Sequence, residues 1–165
     1  MKETKLEAYI DIETTSLSPI NGIITVIGIY VYSAENEKFL QLVGEEITSD
    51  SLLKALEGVK TLYTYNGSRF DLSFIKSYVG IDLVDYFEHR DLMFDCWKND
   101  FYGGLKTVET MLGIERRTKG VDGKIAVELW VRYKNLGDEN ALKKLLDYNK
   151  EDVMNLKIVK ERLCK

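Results

Sequence analysis

Proline, histidine and cysteine are scarce in this sequence. One Pro and one His occur among 165 residues, and the two cysteines, Cys96 and Cys164, lie far apart and form no Cys-x-x-Cys motif. Neither a disulfide framework nor a zinc site is therefore expected. No run approaches the roughly 18 apolar residues of a membrane helix. The start, MKETKLEAY, turns acidic before any stretch typical of a signal peptide. We expect a cytoplasmic protein without membrane association.

The composition is that of an ordinary globular chain. With 45% hydrophobic residues and no linker or repeat, residues 1–165 are predicted to form a single domain. The net charge of −4, from 27 acidic and 23 basic residues, argues against a protein that coats nucleic acid non-specifically. It leaves open an enzyme with a local acidic site and local basic contacts.

The first half of the chain is predicted to form a sheet. Segments 6–13, 23–33 and 38–43 are rich in residues typical of strands, and their short links predict an antiparallel meander. A helix over 49–57 and a strand over 60–65 follow, and this order places the fourth strand parallel to the first.

From residue 69 onward the pattern is mainly helical, with a long amphipathic helix over 138–163. His89 is interpreted as a surface or helix-start residue. The fold class is α/β: a mixed sheet of the five-stranded type, with three antiparallel N-terminal strands, flanked by helices.

Acidic residues occur where they could form a cluster. Asp11 and Glu13 are two apart on the first strand and therefore share a face; exposed acids at a strand end are the alternative. Asp71 begins a helix, where the helix dipole alone favours an acid. Tyr148 and Asp152 are four apart on the last helix and share its face. The four carboxylates would suit a Mg²⁺-type ion if the last helix packs beside the first strand.

Three segments, YIDIETTSL, YNGSRFDLSF and YNKEDVMNL, resemble in order the three exonuclease motifs of the DEDD superfamily, which has an RNase H-like fold. The Tyr-x3-Asp spacing of the third resembles the tyrosine branch, DEDDy; the histidine branch would need His where Asp147 stands. With GIY at 28–30, GLKTVETMLGI at 104–114 and the helix containing Trp130, nearly the whole chain is similar to the YprB-like ribonuclease H-like family.

The resemblance implies a metal-dependent 3′–5′ exonuclease that hydrolyses phosphodiester bonds of single-stranded nucleic acid. Asp11, Glu13, Asp71 and Asp152 match the carboxylates that bind two divalent ions, Mg²⁺ or Mn²⁺. Tyr148 matches the residue that orients the attacking water. Because the ordinary pKa of tyrosine is about 10, we expect Tyr148 to position this water more than to act as a base.

Substrate contacts are also implied. Thr14 and Thr15 would face the 3′-terminal nucleotide, and the alternative is that they are ordinary turn residues. Relatives usually carry Gly where Ser16 stands, so the backbone at this pocket is expected to differ slightly. Asn66 could hydrogen-bond the substrate. Phe70 could stack on a base or, equally, anchor its helix in the core.

Basic residues are concentrated between 115 and 134. In the loop ERRTKG, Arg116, Arg117 and Lys119 are candidates for phosphate tracking, with a solvated loop as the alternative. Lys106, next to two glycines at a helix start, is a further candidate for a phosphate contact.

Several functions remain open at this level. One alternative is a catalytically silent RNase H-like module that binds nucleic acid or protein, although none of the ligands is missing. Another is an endonuclease on the same fold. An aspartate-nucleophile phosphatase is set aside because Glu13 stands where that chemistry needs a second Asp. The sequence does not distinguish DNA from RNA, and a protein partner such as a helicase is conceivable without a specific signal.

Overall fold

A computed structural model describes residues 5–165 of the chain. The first four residues, on which part of the signal-peptide prediction rests, lie outside the described residues. The strands are β1 (Leu6–Thr14), β2 (Ile24–Tyr32), β3 (Glu37–Val43), β4 (Val59–Thr64) and β5 (Glu88–Asp91). The helices are α1 (Ser49–Ala55), α2 (Asp71–Val79), α3 (Leu92–Lys98), α4 (Leu105–Met111), α5 (Gly123–Leu136) and α6 (Glu139–Leu163).

The five strands form one mixed sheet in the order β3-β2-β1-β4-β5. The first three strands pair antiparallel, and β4 lies parallel to β1. The predicted meander, the parallel fourth strand and the α/β class with flanking helices are therefore confirmed. β1 lies in the centre of the sheet, flanked by β2 and β4.

The alternation of side chains along β1 separates its two faces. Ile10 and Ile12 pack in the core cluster that includes residues of α2, whereas Tyr9 packs with residues of α6. Because successive side chains of a strand point to opposite faces, Asp11 and Glu13 share the face of Tyr9. The two acids therefore point toward the layer that contains α6, as the spacing predicts.

Helix α6 approaches the sheet unusually closely at one point. It begins after Asp138, whose side chain accepts a hydrogen bond of 3.0 Å from the backbone N–H of Ala141. A Cβ atom added to Gly28 of β2 would lie 2.3 Å from Oδ1 of Asn149 and 2.7 Å from Cγ2 of Val153. Glycine is therefore required at this position, because any side chain would push the helix away from the sheet.

The fifth strand was not located from the sequence, which predicts mainly helical structure after residue 69. Residues Glu88–Asp91 pair parallel with β4 at the edge of the sheet. His89 lies in this strand, half-buried, with Nε2 at 2.8 Å from Oγ1 of Thr64. The segment EHRD is short and polar, so it lacks the apolar alternation by which strands are recognised. The interpretation of His89 as a helix-start residue is therefore wrong.

Within residues 5–165, none of the helices has both the length and the apolar character that crossing a membrane requires.

Candidate active site

Three carboxylates from two elements meet at the C-terminal end of β1. Asp11 and Glu13 project from β1 and Asp152 from α6, and one carboxylate oxygen of each lies within 4.8 Å of those of the other two. Glu13 and Asp152 are buried, whereas Asp11 lines a cavity that opens to solvent. Like charges at such distances repel one another, so this arrangement favours a cation between them.

The donor set fits a divalent ion. Oε1 of Glu13 is buried and has no hydrogen-bond partner among the described residues, although buried polar atoms are nearly always paired. All the donors are carboxylate oxygens, which Mg²⁺ and Mn²⁺ prefer. Such an ion would be held by Asp11, Glu13 and Asp152. When bound, it would supply a Lewis acid that lowers the pKa of a water and polarises a phosphoryl oxygen.

Asp71 lies beside this group. It is the first residue of α2, and its Oδ1 accepts a hydrogen bond of 3.3 Å from the backbone N–H of Ile12, the residue between Asp11 and Glu13. In the part of the chain that the structure describes, the close group of acids contains the other three and not Asp71. The fold thus brings all four predicted acids to one end of β1, with Asp71 bonded to the backbone.

Burial raises the pKa values of these acids. Burial and then the charge of Asp152 raise the pKa of both Asp11 and Glu13 well above their ordinary values. Burial also raises the pKa of Asp71 to about 7 and that of Asp152 to about 6, where the Arg116 guanidinium opposes part of the rise. Without a cation, protons therefore remain on some of these groups near neutral pH, and a bound cation would release them.

Tyr148 lies one helical turn before Asp152 and lines the same cavity. Burial, followed by the charge of Asp152, raises the pKa of its hydroxyl above the ordinary value. The hydroxyl is consequently protonated at neutral pH and suited to donating a hydrogen bond. Nζ of Lys106 lies 4.8 Å and Cζ of Arg116 5.6 Å from the centre of the ring. Both cations therefore lie within the distance of a cation–π interaction with the ring.

Asn149 is a site residue that sequence reasoning missed. Its Nδ2 donates to the backbone oxygen of Asp11 at 3.1 Å and to Oδ2 of Asp11 at 3.3 Å. Its Oδ1 accepts a hydrogen bond of 3.0 Å from Nε2 of Gln41 in β3. Asn149 is completely buried, and it follows Tyr148 directly in the third motif. An amide on the buried face of a long helix is a signal that could have identified it.

Asp91 organises the loop between β4 and α2. Its carboxylate accepts hydrogen bonds from the backbone N–H of Asn66 at 2.7 Å and of Ser68 at 3.1 Å, and from Oγ of Ser68 at 2.5 Å. It also caps α3 by accepting a hydrogen bond from the backbone N–H of Met93 at 3.1 Å. Asn66 has a left-handed backbone (φ 58°), and its Oδ1 is buried without a partner among the described residues. This network sets the position of the loop that leads to Asp71.

Arg116 differs from its predicted role as an exposed phosphate contact. Its side chain is 13% exposed, and Nη1 donates to both carboxylate oxygens of Glu109 at 2.8 Å. Nη2 donates to Oδ1 of Asp152, and Nε lies 3.4 Å from Oε1 of Glu151. Charge explains this position, because three acids attract the guanidinium inward. Glu109 and Glu151 were not identified from the sequence, where they resemble ordinary helical residues.

The other residues of the basic loop face outward. Arg117 and Lys119 are exposed, as expected for a solvated loop or for residues that track phosphates. The loop is attached to α6, because Glu151 accepts hydrogen bonds from the backbone N–H groups of Arg117 at 2.8 Å and Thr118 at 3.1 Å. Lys106 lines the cavity, and its Nζ donates to the backbone oxygen of Val121 at 2.5 Å.

The predicted nucleotide contacts have structural partners of their own. Oγ1 of Thr14 donates to the backbone oxygen of Ser16 at 2.7 Å, and Oγ1 of Thr15 accepts from the N–H of Ile23 at 3.0 Å. Both threonines therefore shape the turn between β1 and β2. Phe70 packs against the main core, which favours its alternative role as an anchor for α2.

The candidate cavity has a volume of about 320 Å³. Asp11, Tyr148 and Asp152 line it, and Tyr65 and Lys106 also contribute to its wall. Four of the predicted site residues therefore share one cavity. A cavity with acids, a tyrosine hydroxyl and a lysine is chemically suited to a phosphate together with a cation that the acids would hold.

Solved structures of nucleic-acid enzymes have a similar fold. The family B DNA polymerase from the hyperthermophilic archaeon Pyrobaculum calidifontis matches 97% of this chain with a TM-score of 0.72 and 16% identity, and the match covers 24% of the polymerase chain. Brucella melitensis NrnC matches 95% of this chain with a TM-score of 0.59 and 20% identity, covering 71% of NrnC. NrnC bound to pGG gives the same TM-score and the same coverage at 18% identity. At these identities the likeness concerns the fold alone.

No curated protein matches the sequence. A family model does: that of the RNase H superfamily matches residues 8–164, a range that contains every strand from Ala8 of β1 onward and all of α6. The mixed sheet with β1 at its centre, and the acids at the end of that strand, agree with this match. The chain therefore belongs to the RNase H superfamily.

Proposed function

We propose that this protein is a metal-dependent 3′–5′ exonuclease of the DEDDy type, similar to the YprB-like family, that removes nucleotides from single-stranded nucleic acid. The observation that carries the proposal is the group formed by Asp11, Glu13 and Asp152, whose oxygens lie within 4.8 Å of one another. Repulsion and burial make such a group unfavourable unless a cation binds there. Nuclease chemistry uses such a cation.

Each residue of the group has a proposed role. Asp11, Glu13 and Asp152 hold two divalent ions, Mg²⁺ or Mn²⁺. Asp71 becomes the fourth ligand when its carboxylate exchanges the hydrogen bond from Ile12 for a bond to a metal ion. Tyr148 donates a hydrogen bond that orients the attacking water. Its raised pKa supports this role over that of a general base, because a base must be deprotonated.

The proposed substrate is the 3′ end of a single strand. NrnC, which shares the fold, has been solved with pGG bound, and this supports a short strand as ligand. Lys106 is the best placed of the predicted phosphate contacts, because it lines the cavity. Thr14, Thr15, Asn66 and Phe70 remain proposals for contacts to the terminal nucleotide.

Arg117 and Lys119, which are exposed on the loop, remain proposals for contacts to phosphates further along the strand. The single domain over 1–165, the cytoplasmic location and a protein partner such as a helicase also remain part of the proposal.

A labelled-oligonucleotide assay tests the activity. A 5′-labelled single strand incubated with the protein and Mg²⁺ or Mn²⁺ should give a ladder of products that EDTA abolishes. Asp11→Asn should abolish the ladder. Asp147→Asn should retain it, because Asp147 lies on the same helix as Asp152 but is exposed and paired with Lys143 at 2.8 Å. Tyr148→Phe should slow the reaction by about 10–100-fold while metal affinity is retained, the usual range for an orienting residue.

Two further substrates define the mode of cleavage. A strand with a blocked 3′ end should resist the exonuclease, whereas cleavage of this strand would identify an endonuclease. The rates of cleavage of DNA and RNA strands of the same sequence measure the preference for deoxyribose or ribose directly. Absence of cleavage of every single strand with either metal would contradict the proposal.

A second candidate is a catalytically silent member of the superfamily that binds nucleic acid. The specific observation that favours it is the ion pair between Arg116 and Asp152, since the arginine engages one of the proposed ligands. Binding of an oligonucleotide without metal-dependent turnover would support this second function over the first.

A further inference from the structure

Arg116 binds one acid inside the proposed metal group and two outside it. Nη2 contacts Oδ1 of Asp152, while Nη1 donates to both oxygens of Glu109 at 2.8 Å and Nε faces Glu151 at 3.4 Å. Both oxygens of Glu109 accept from the single nitrogen Nη1, whereas Oδ1 of Asp152 accepts from Nη2. Because the two acids contact different nitrogens, the contacts to Glu109 can persist when Nη2 releases Asp152.

Glu109 is itself fixed in the protein interior. It is 1% exposed, and its Oε1 also accepts a hydrogen bond of 3.1 Å from Nδ2 of Asn155 on α6. A buried carboxylate without a cation is strongly unfavourable. Arg116 thus compensates Glu109 whether or not Asp152 is available, and it can leave Asp152 without leaving this pair.

The backbone directly after Arg116 is also held. Glu151 accepts hydrogen bonds from the N–H groups of Arg117 at 2.8 Å and Thr118 at 3.1 Å, and from Oγ1 of Thr118 at 2.7 Å. Because Glu151 and Asp152 are adjacent on α6, the attachment of the loop to Glu151 places the guanidinium beside Asp152. By contrast, Nε of Arg116 has no hydrogen bond among the described residues. The contact network is therefore incomplete on the side of the guanidinium that faces Glu151.

We propose that Arg116 is the internal counter-ion of the acidic site: it holds Asp152 in the absence of metal, and a divalent ion displaces it from Asp152 while Glu109 retains it. Arg116 is thus a positioning residue that acts through Asp152. This inference rests on the proposed function, since it requires that the acidic group binds metal. Its consequence is that the site resists metal until the guanidinium releases Asp152, and that the charge of Asp152 remains compensated while metal is scarce.

Calcium binding tests whether a divalent ion competes with Arg116 for Asp152, without any need for catalysis. Isothermal titration of the full chain with Ca²⁺ is compared for the wild type, Arg116→Gln and Arg132→Gln. Removal of one positive charge beside a divalent ion should tighten Ca²⁺ binding by about tenfold or more. Arg132→Gln is the matched control, because Arg132 is exposed and pairs with Asp138, the residue just before α6. The affinity of this variant for Ca²⁺ should equal that of the wild type.

Damage to the fold would weaken Ca²⁺ binding, so the expected tightening distinguishes a counter-ion from a structural residue. Unchanged or weaker binding by Arg116→Gln, while the wild type binds Ca²⁺, would overturn the inference and leave the proposed function intact. Absence of Ca²⁺ binding by both the wild type and Arg116→Gln would overturn both. Loss of binding in Asp11→Asn establishes that the measured ion occupies the acidic group.

A wild-type measurement keeps the inference testable if Arg116→Gln does not fold. Arginine side-chain NMR signals are followed during a Ca²⁺ titration, with Arg116 assigned through Arg116→Lys. The guanidinium signal of Arg116 should shift with the same midpoint as Ca²⁺ binding, while that of Arg132 stays constant. A signal of Arg116 that does not move at saturating Ca²⁺ would contradict displacement.

Discussion

Strand β1 and helix α6 meet at two places that differ in how their charged groups are paired. At the tyrosine end, defined by Glu7, Tyr9, Tyr63 and Lys160, every charge has a partner. Tyr9 and Tyr63 stack with ring centres 5.1 Å apart, and Nζ of Lys160 lies 4.2 Å from the centre of the Tyr63 ring. Glu7 accepts hydrogen bonds from Lys160 at 2.5 Å and from Tyr9 at 2.6 Å.

At the acidic end, defined by Asp11, Glu13 and Asp152, the same two elements bring together three groups of one sign. Oε1 of Glu13 has no partner among the described residues. The two ends have the same strand and the same helix, so backbone geometry does not explain the difference. Stability selects paired groups such as those at the tyrosine end, whereas three like charges held together in the interior, with Arg116 paired to Asp152, are a signature of a functional site.

Asp11→Asn should have the largest effect, because it removes one of the three like charges at the acidic end. Loss of a metal-binding carboxylate should reduce nuclease activity by more than about a hundredfold, since loss of a supporting residue alone costs about 10–100-fold. In EDTA the same variant should unfold at a higher temperature than the wild type, because repulsion with Asp152 and Glu13 is reduced. A lower unfolding temperature in EDTA would contradict this interpretation of the site.

Gly28→Ala should disturb the contact that brings both ends together. The new Cβ would lie 2.3 Å from Oδ1 of Asn149, so the helix must move or Asn149 must release Asp11. Overpacking of this kind costs about 1–3 kcal/mol of unfolding free energy. Chemical denaturation measures the loss. Gly123→Ala is the control, because nothing lies within 4 Å of its added Cβ, and it should leave stability equal or slightly higher.

The stability of the acidic end should depend on pH in an unusual direction. Burial raises the pKa of Asp71 to about 7 and that of Asp152 to about 6, from an ordinary value of 3.8. The folded state therefore binds more protons than the unfolded state between pH 4 and 7, and the free energy of unfolding falls as pH rises through this window. In EDTA the unfolding temperature should drop by several degrees between pH 5 and 7.5.

Saturating Ca²⁺ should remove most of this pH dependence, because a bound cation takes the place of the protons. An unfolding temperature that rises from pH 5 to 7.5 in EDTA would show that the four acids are already compensated.

Lys160→Met should have the smallest effect and should concern the tyrosine end alone. The ion pair with Glu7 is partly exposed, so its loss should cost about 1 kcal/mol or less. Affinity for Ca²⁺ should remain that of the wild type, since the acidic end is unaffected. Parallel thermal unfolding and calcium titration check both parts. A weaker calcium affinity would mean that the two ends are coupled through α6.

The sequence predicted the parts of the fold that depend on local pattern. The apolar alternation of β1 and the long stripe of α6 define their own elements, and the spacing of Asp11 and Glu13 determines their shared face. Strand β5 was missed because four polar residues at a sheet edge carry no such pattern. Its existence depends on pairing with β4, which is a contact of the folded chain.

The site was predictable where side chains belong to motifs and unpredictable where partners come from elsewhere. Arg116 lies in a loop whose glycines and charges favour exposure, and only the folded chain brings it to Asp152. Glu109 and Asn149 contribute single hydrogen-bonding groups without any spacing rule. Charge balance agrees with the resulting assignment: setting the four proposed ligands aside from the 27 acids leaves 23, the number of basic residues.

The hydrogen bonds of Asp91 have a consequence for the order of assembly. This residue ends the four-residue strand β5 and also holds Asn66 and Ser68 in the loop that leads to Asp71. A short edge strand that pairs only through β4 is a region where opening requires little free energy. Asp71 therefore reaches its place beside the acidic end only after the sheet has closed at its far edge. A chain with a frayed β5 would retain its core and yet leave the loop before Asp71 without this support.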